Sequence, residues 1–176
     1  MTADLYFSVS VISIGAVNAV LDGLGYTTGQ VEASDLYSLK VVDEFLQDPT
    51  FPRTLHDRHY AISVILTTHI TQQLHHLASM FELALPKDDE SFHKAIFTIE
   101  EYARTQNPEL IGWCWLYYRY VRTELHMQAK VFSELCSISE RTLRRYQLYA
   151  VKRLTETLIY SEWELRRQHF SISSAD

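Results

Sequence analysis

AKVFSELCSISERTLRRYQL, residues 129–148, holds two runs of apolar residues at helical spacing, separated by three residues rich in serine. Phe132 and Cys136 lie four apart, as on one face of a short helix. Ser137–Ser139 interrupt that spacing, and Leu143, Tyr146, Ala150, Leu154 and Leu158 then resume it. Ser139 is placed to accept an amide hydrogen bond at the start of the second run, as an N-cap does. The stretch therefore predicts a helix over about residues 128–136, a tight turn, and a second helix from Glu140 to about Gln168.

Helical geometry sorts the second run into two faces. At about 100° per residue, with Arg141 at zero, Lys152 falls near 20°, Arg145 near 40° and Arg144 near −60°. Leu143, Tyr146, Ala150, Leu154 and Leu158 fall between about 140° and 260°. One face can pack on the protein while the other presents cations to solvent.

A helix-turn-helix needs a first helix packed on a second through apolar residues, a tight turn, and a capped second helix with polar side chains outward. Residues 129–148 meet these conditions, with Phe132, Cys136, Ile138, Leu143 and Tyr146 in the positions of the shared core. The run SISERTLRRY resembles the recognition-helix start of bacterial helix-turn-helix regulators and of region 4 of sigma factors. With the flanking helices, the resemblance extends over about residues 120–168. It departs from the pattern at Ser133, where alanine is usual, and at Ser137, where glycine is usual. A serine at 137 must turn left-handed, at a cost of about 1 kcal/mol.

The resemblance implies that Glu140, Arg141, Arg144 and Arg145 face the major groove. Arginine there can bridge guanine O6 and N7 with two hydrogen bonds. Lys130 and Thr142 would touch phosphate, and Ser139 and Lys152 complete the candidate DNA-binding set. The region that would read a melted promoter strand in a complete sigma factor is not evident.

Charge supports a specialised end. The chain carries a net charge of −6, which opposes non-specific nucleic-acid binding by the whole surface. Residues 1–118 hold 6 Lys/Arg against 15 Asp/Glu, whereas residues 119–167 hold 10 against 6. An acidic body with a basic end suggests one surface for an anionic partner.

The remaining sequence predicts an all-α protein, a bundle of about seven helices. Glycine numbers 5 and proline 4 in 176 residues, which favours long helices over a many-turned sheet. Residues 4–22 fit a helix better than a strand, by length, and Gly23–Gln30 reads as a break. Ser34 can cap a helix that stops before Pro49. Residues 55–85 form a long amphipathic stretch. Ser91 or a nearby acid can cap a helix to about Thr105, and Asn107 with Pro108 opens another through Leu125. "GWCWLYYRYVR" (Gly112–Arg122) is so aromatic that it reads as a central helix contacted on most sides. The expected organisation is an acidic helical body over 1–106, a helix-turn-helix domain over 107–170, and a flexible tail over 171–176.

Other chemistry finds little footing. His56 with His59, and His69 with His76, could each share a helix face, but a bundle metal site also needs inward carboxylates and none accompanies them. There is no phosphate loop, nucleophile elbow or HExxH motif, and Glu100 and Glu101 project about 100° apart. The expectation is a protein with no catalytic residues, no metal and no cofactor. Cys114 and Cys136 lie in apolar runs and read as buried thiols of a cytoplasmic protein. Leu5–Leu21 lacks charge but is too short and too polar for a membrane span. The expected partner is duplex DNA, bound to regulate transcription or to recruit another machine. A protein partner or second copy would use the body or the last helix. The rival expectation is a helical adaptor whose basic helix docks on an acidic protein surface.

Overall fold

The computed structural model of the chain describes residues 12–24, 34–47, 53–87 and 89–173, with side chains as far as residue 168. Seven α-helices and no strand occur among them: α1 (Ile14–Gly23), α2 (Lys40–Phe45), α3 (Leu55–Met80), α4 (Phe92–Arg104), α5 (Pro108–Leu116), α6 (Ala129–Leu135) and α7 (Glu140–Ser173). No helix among the described residues is long and apolar enough to cross a membrane. Two compact units share these helices. Residues up to Leu66, together with those from Lys152 onward, make one, and Thr67–Val151 make the other. Both boundaries fall inside helices, α3 and α7.

In the first unit, side-chain caps set the helix starts. Ser13 accepts the Ala16 N–H at 3.1 Å and opens α1, which buries Val17, Val20 and Leu21. Residues 4–11 of the helix expected there lie outside the described residues, and Gly23 belongs to α1 rather than to the break after it. Thr54 and Asp57 cap α3 reciprocally: the Asp57 carboxylate accepts the Thr54 N–H at 2.7 Å, and the Thr54 hydroxyl accepts the Asp57 N–H at 3.3 Å.

The single helix expected after Ser34 is two elements. Ser34 does cap, accepting the Leu36 N–H at 3.3 Å, but it opens one 3₁₀ turn, Asp35–Ser38. Leu39 is then extended, with ψ 148°, and α2 starts afresh. Leu39 offers no side-chain cap. The completely buried carboxylate of Glu162 on α7 supplies it, accepting the Lys40 and Val41 N–H groups at 3.1 Å each. Arg166 donates to the same carboxylate at 2.6 Å. Arg58 bonds Asp43 at 2.9 Å and the Tyr37 carbonyl at 2.6 Å, tying α3 to α2 and to the turn before it.

In the second unit, helices stop without glycine. α3 ends at Met80, short of the expected Leu85, because Glu82 turns left-handed (φ 56°) and Leu83 N–H reaches back to the Ala78 carbonyl at 2.9 Å. Gln106 after α4 (φ 53°) and His126 (φ 48°) adopt the same conformation. α5 begins as its sequence predicts, with Asn107 accepting the Leu110 N–H at 2.9 Å and Pro108 at the first position.

α5 does not continue to Leu125. The α-helix ends at Leu116, widens into a π turn over Tyr117–Val121, and closes with a 3₁₀ turn over Thr123–Leu125. Arg122 accounts for the change. Its guanidinium is buried and donates to the Lys87 carbonyl at 2.5 Å and the Glu90 carbonyl at 2.8 Å, while Tyr118 donates to the Glu90 carboxylate at 2.5 Å. Drawing Arg122 into that cluster lengthens the local loop, and its N–H bonds the Tyr117 carbonyl five residues back. Every residue from Leu110 to Tyr118 is buried, so the aromatic run is the central element the sequence indicates. At the other end, α7 runs to Ser173, and residues 174–176 lie outside the described residues.

Candidate nucleic-acid interface

The candidate surface lies at the junction of α6 and the start of α7, within the second unit. α6 ends in a two-bond cap: Ser137 N–H donates to the Glu134 carbonyl and Ile138 N–H to the Ser133 carbonyl, both at 3.0 Å. This geometry requires a left-handed residue at 137, and Ser137 has φ 54°. The serine substitutes for glycine and bears the steric cost itself. The chain then turns sharply, and Ser139 caps α7 by accepting the Thr142 N–H at 3.1 Å, its hydroxyl also meeting that of Thr142 at 3.0 Å.

The two helices are held by the residues the spacing singled out. Phe132, Ser133, Cys136 and Leu143 are buried, while Ile138 and Tyr146 are half-buried. Phe132 packs against Trp115 of α5, ring centroids 5.1 Å apart. Trp115 donates from its indole nitrogen to Gln147 of α7 at 2.9 Å. Gln147 in turn donates to the Tyr120 hydroxyl at 3.3 Å. At Gly112 the helices nearly touch: a Cβ there would sit 2.8 Å from the Tyr146 carbonyl oxygen. α7 is thus fixed on α5 by a glycine contact and a hydrogen-bonded tryptophan, which settles which face it buries.

The opposite face carries the candidate residues. Lys130, Ser139, Glu140, Arg141, Arg144 and Arg145 are exposed, and Thr142 is half-exposed. Among the described residues, no ion pair engages Arg141, Arg144 or Arg145. Arg145 lies over the Tyr146 ring at 5.8 Å. Lys152, the first residue of the other unit, is exposed on the continuation of the same helix. Ser139 and Thr142 spend their hydroxyls on the cap, so their local task is to hold the helix start.

No family model matches this chain, and no curated protein or solved structure is similar to it.

Three features of this surface escaped the sequence reading. Leu148 and Tyr149, two apolar side chains that the sequence reading does not single out, are 55% and 49% exposed on α7. Arg119, within the buried aromatic run, is exposed and lies over the rings of Trp115 and Tyr120 at 5.5 and 5.4 Å. Behind the turn lies an open cleft of about 640 Å³ lined by Glu100, Arg104, Ile111, Ser137, Ile138 and Tyr146. The cleft does not follow from helical periodicity, because it depends on how separate helices of the second unit pack around the turn.

The chemistry available elsewhere is limited. Among the described residues, no three His, Cys, Asp or Glu side chains gather as a metal site would require. His59 instead meets the Tyr37 hydroxyl at 2.9 Å through Nδ1. Both cysteines are free and buried. Burial pushes the Cys136 thiol up to about 12, and burial, with Cys136 and Glu90 nearby, raises that of Cys114. Neither is suited to act as a thiolate nucleophile at neutral pH.

Proposed function

We propose that this chain binds duplex DNA by laying the first turns of α7 in the major groove. Arg141, Arg144 and Arg145 would reach base edges and phosphates, and Lys130 and Lys152 would flank them. The single observation that carries the reading is the pairing of two faces on one helix. The arginines stand in solvent without an ion pair among the described residues, and the reverse side is locked onto α5 and α6. A helix that must dock on phosphate benefits from cations not already neutralised. The resemblance of SISERTLRRY to a recognition-helix start supports the same reading. The biological role would be transcription regulation or recruitment of another machine to DNA, with no catalytic step of its own.

Binding to random duplex DNA at two salt concentrations tests this. Affinity should fall steeply with salt, in proportion to the phosphates neutralised. Arg144→Glu with Arg145→Glu should abolish binding while leaving helicity unchanged. Salt-independent binding, or binding that survives the double change, overturns the groove assignment.

A second reading has its own observation. The net charge of −6 and the exposed Leu148 and Tyr149 also suit a helical adaptor that docks α7 on an acidic protein surface with an apolar centre. That protein would show no affinity for duplex DNA.

A further inference from the structure

We infer that Leu148 reads thymine in the DNA site, through contact with the C5-methyl group; this rests on the duplex-DNA reading above and names part of its sequence preference. Arg141, Arg144, Arg145 and Leu148 form one outward stripe of α7 within the second unit. With Arg141 at zero, Leu148 stands near −20°, between the angles of Arg144 and Arg141 at about 100° per residue. It is 55% exposed, while the apolar residues flanking it in sequence, Leu143, Ala150 and Val151, are buried. The fixed contacts at Gly112 and Trp115 set the rotation of the helix, so Leu148 cannot turn inward without carrying the arginines with it.

A single exposed leucine is ordinary on a protein surface. The setting of this one is not, because the stripe residues that precede it, Arg141, Arg144 and Arg145, are exposed cations. Once those cations meet phosphates and guanine edges, the leucine is carried against the floor of the groove. The apolar group displayed there is the thymine methyl, and a leucine packs on it where a polar side chain would not. Leu148 lies about 10 Å along the helix from Arg141, about three base-pair steps. The thymine should therefore fall within a few pairs of any guanine that Arg141 selects. Tyr149, exposed beside it, would border the contact toward the sugar-phosphate edge.

The test uses the full chain and duplexes selected by it from a random library. These are resynthesised with deoxyuridine, which lacks the methyl, in place of one thymidine at a time. One position should lose about fourfold in affinity, the equivalent of about 0.8 kcal/mol for one buried methyl. Leu148→Ala should bind the thymidine duplex with a similar loss and should no longer distinguish thymidine from deoxyuridine. Leu148 is exposed, so this variant should keep its helicity, which circular dichroism checks. Leu148→Gln should in addition move the selected base toward adenine, which glutamine can bridge at N6 and N7. Selected duplexes that bind with the expected salt dependence yet ignore every deoxyuridine change overturn this inference and leave the DNA reading standing. Failure to bind any duplex overturns both. Equal sensitivity to deoxyuridine in wild type and Leu148→Ala assigns the methyl contact to another residue and also overturns the inference.

Discussion

The backbone of Tyr146 on α7 runs so close to Gly112 on α5 that a methyl group at residue 112 would lie 2.8 Å from the Tyr146 carbonyl oxygen. The obstacle is main chain, not a flexible side-chain end. The next nearest atoms are the Tyr146 carbonyl carbon at 3.2 Å and the Ala150 Cβ at 3.5 Å. Gly112→Ala should therefore push the helices apart. Stability should fall by about 1–3 kcal/mol, the usual cost of overpacking, although alanine is the better helix former. Urea unfolding measures it. An unchanged or raised midpoint would mean that the helices do not approach this closely.

Ser137 gives a prediction of opposite sign. Its left-handed backbone costs about 1 kcal/mol more for serine than for glycine, offset in part by the greater freedom of glycine when unfolded. Ser137→Gly should be neutral to stabilising by up to about 1 kcal/mol. Ser137→Val should destabilise by more than 1 kcal/mol, about twice the serine penalty, because a β-branched side chain fits this region worst. Chemical denaturation of the two variants side by side checks the order.

Glu162 caps α2 across the first unit, and among the described residues no other side chain supplies those hydrogen bonds. Glu162→Ala strands two backbone N–H groups and the Arg166 guanidinium. A loss of about 2–4 kcal/mol follows from leaving buried partners unsatisfied. Hydrogen exchange at Lys40 and Val41 should rise by a larger factor than exchange in α5. Uniform protection loss across both units would instead indicate one cooperative transition.

Acid should weaken the fold near the histidine range. Burial lowers the pKa of His69 below its usual 6.5, and burial together with His56 lowers that of His59. The unfolded chain then binds protons that the folded chain resists. The stabilising contribution is complete above pH 6.5 and is lost as pH falls from there through the folded values. Melting temperature should drop between pH 7 and pH 5, and His69→Gln should flatten part of that slope. A slope unchanged by the substitution would exclude His69 as a source.

How much of this was written in the sequence depends on the range of the interaction. Ser34, Ser91, Asn107 and Ser139 each cap a backbone N–H no more than three residues away. Such starts are local chemistry and are legible from residue type alone. The same holds for the α6–α7 turn, whose apolar spacing and left-handed Ser137 follow from what a six-residue reversal demands. The all-α class and the buried aromatic run are legible because period and composition average over many residues.

Tertiary structure decided what local chemistry leaves open. Leu39 breaks a helix because a carboxylate more than a hundred residues away offers α2 a new start. Tyr117–Val121 widen because Arg122 is drawn toward Lys87 and Glu90. Gly112 carries no local signal for a glycine, and its reason exists only once α7 lies against it. Leu148 faces solvent because Trp115 and Gly112 hold the other side of the helix. In each case the deciding partner is distant along the chain, so the free energy that selects the conformation appears only after folding brings the two together.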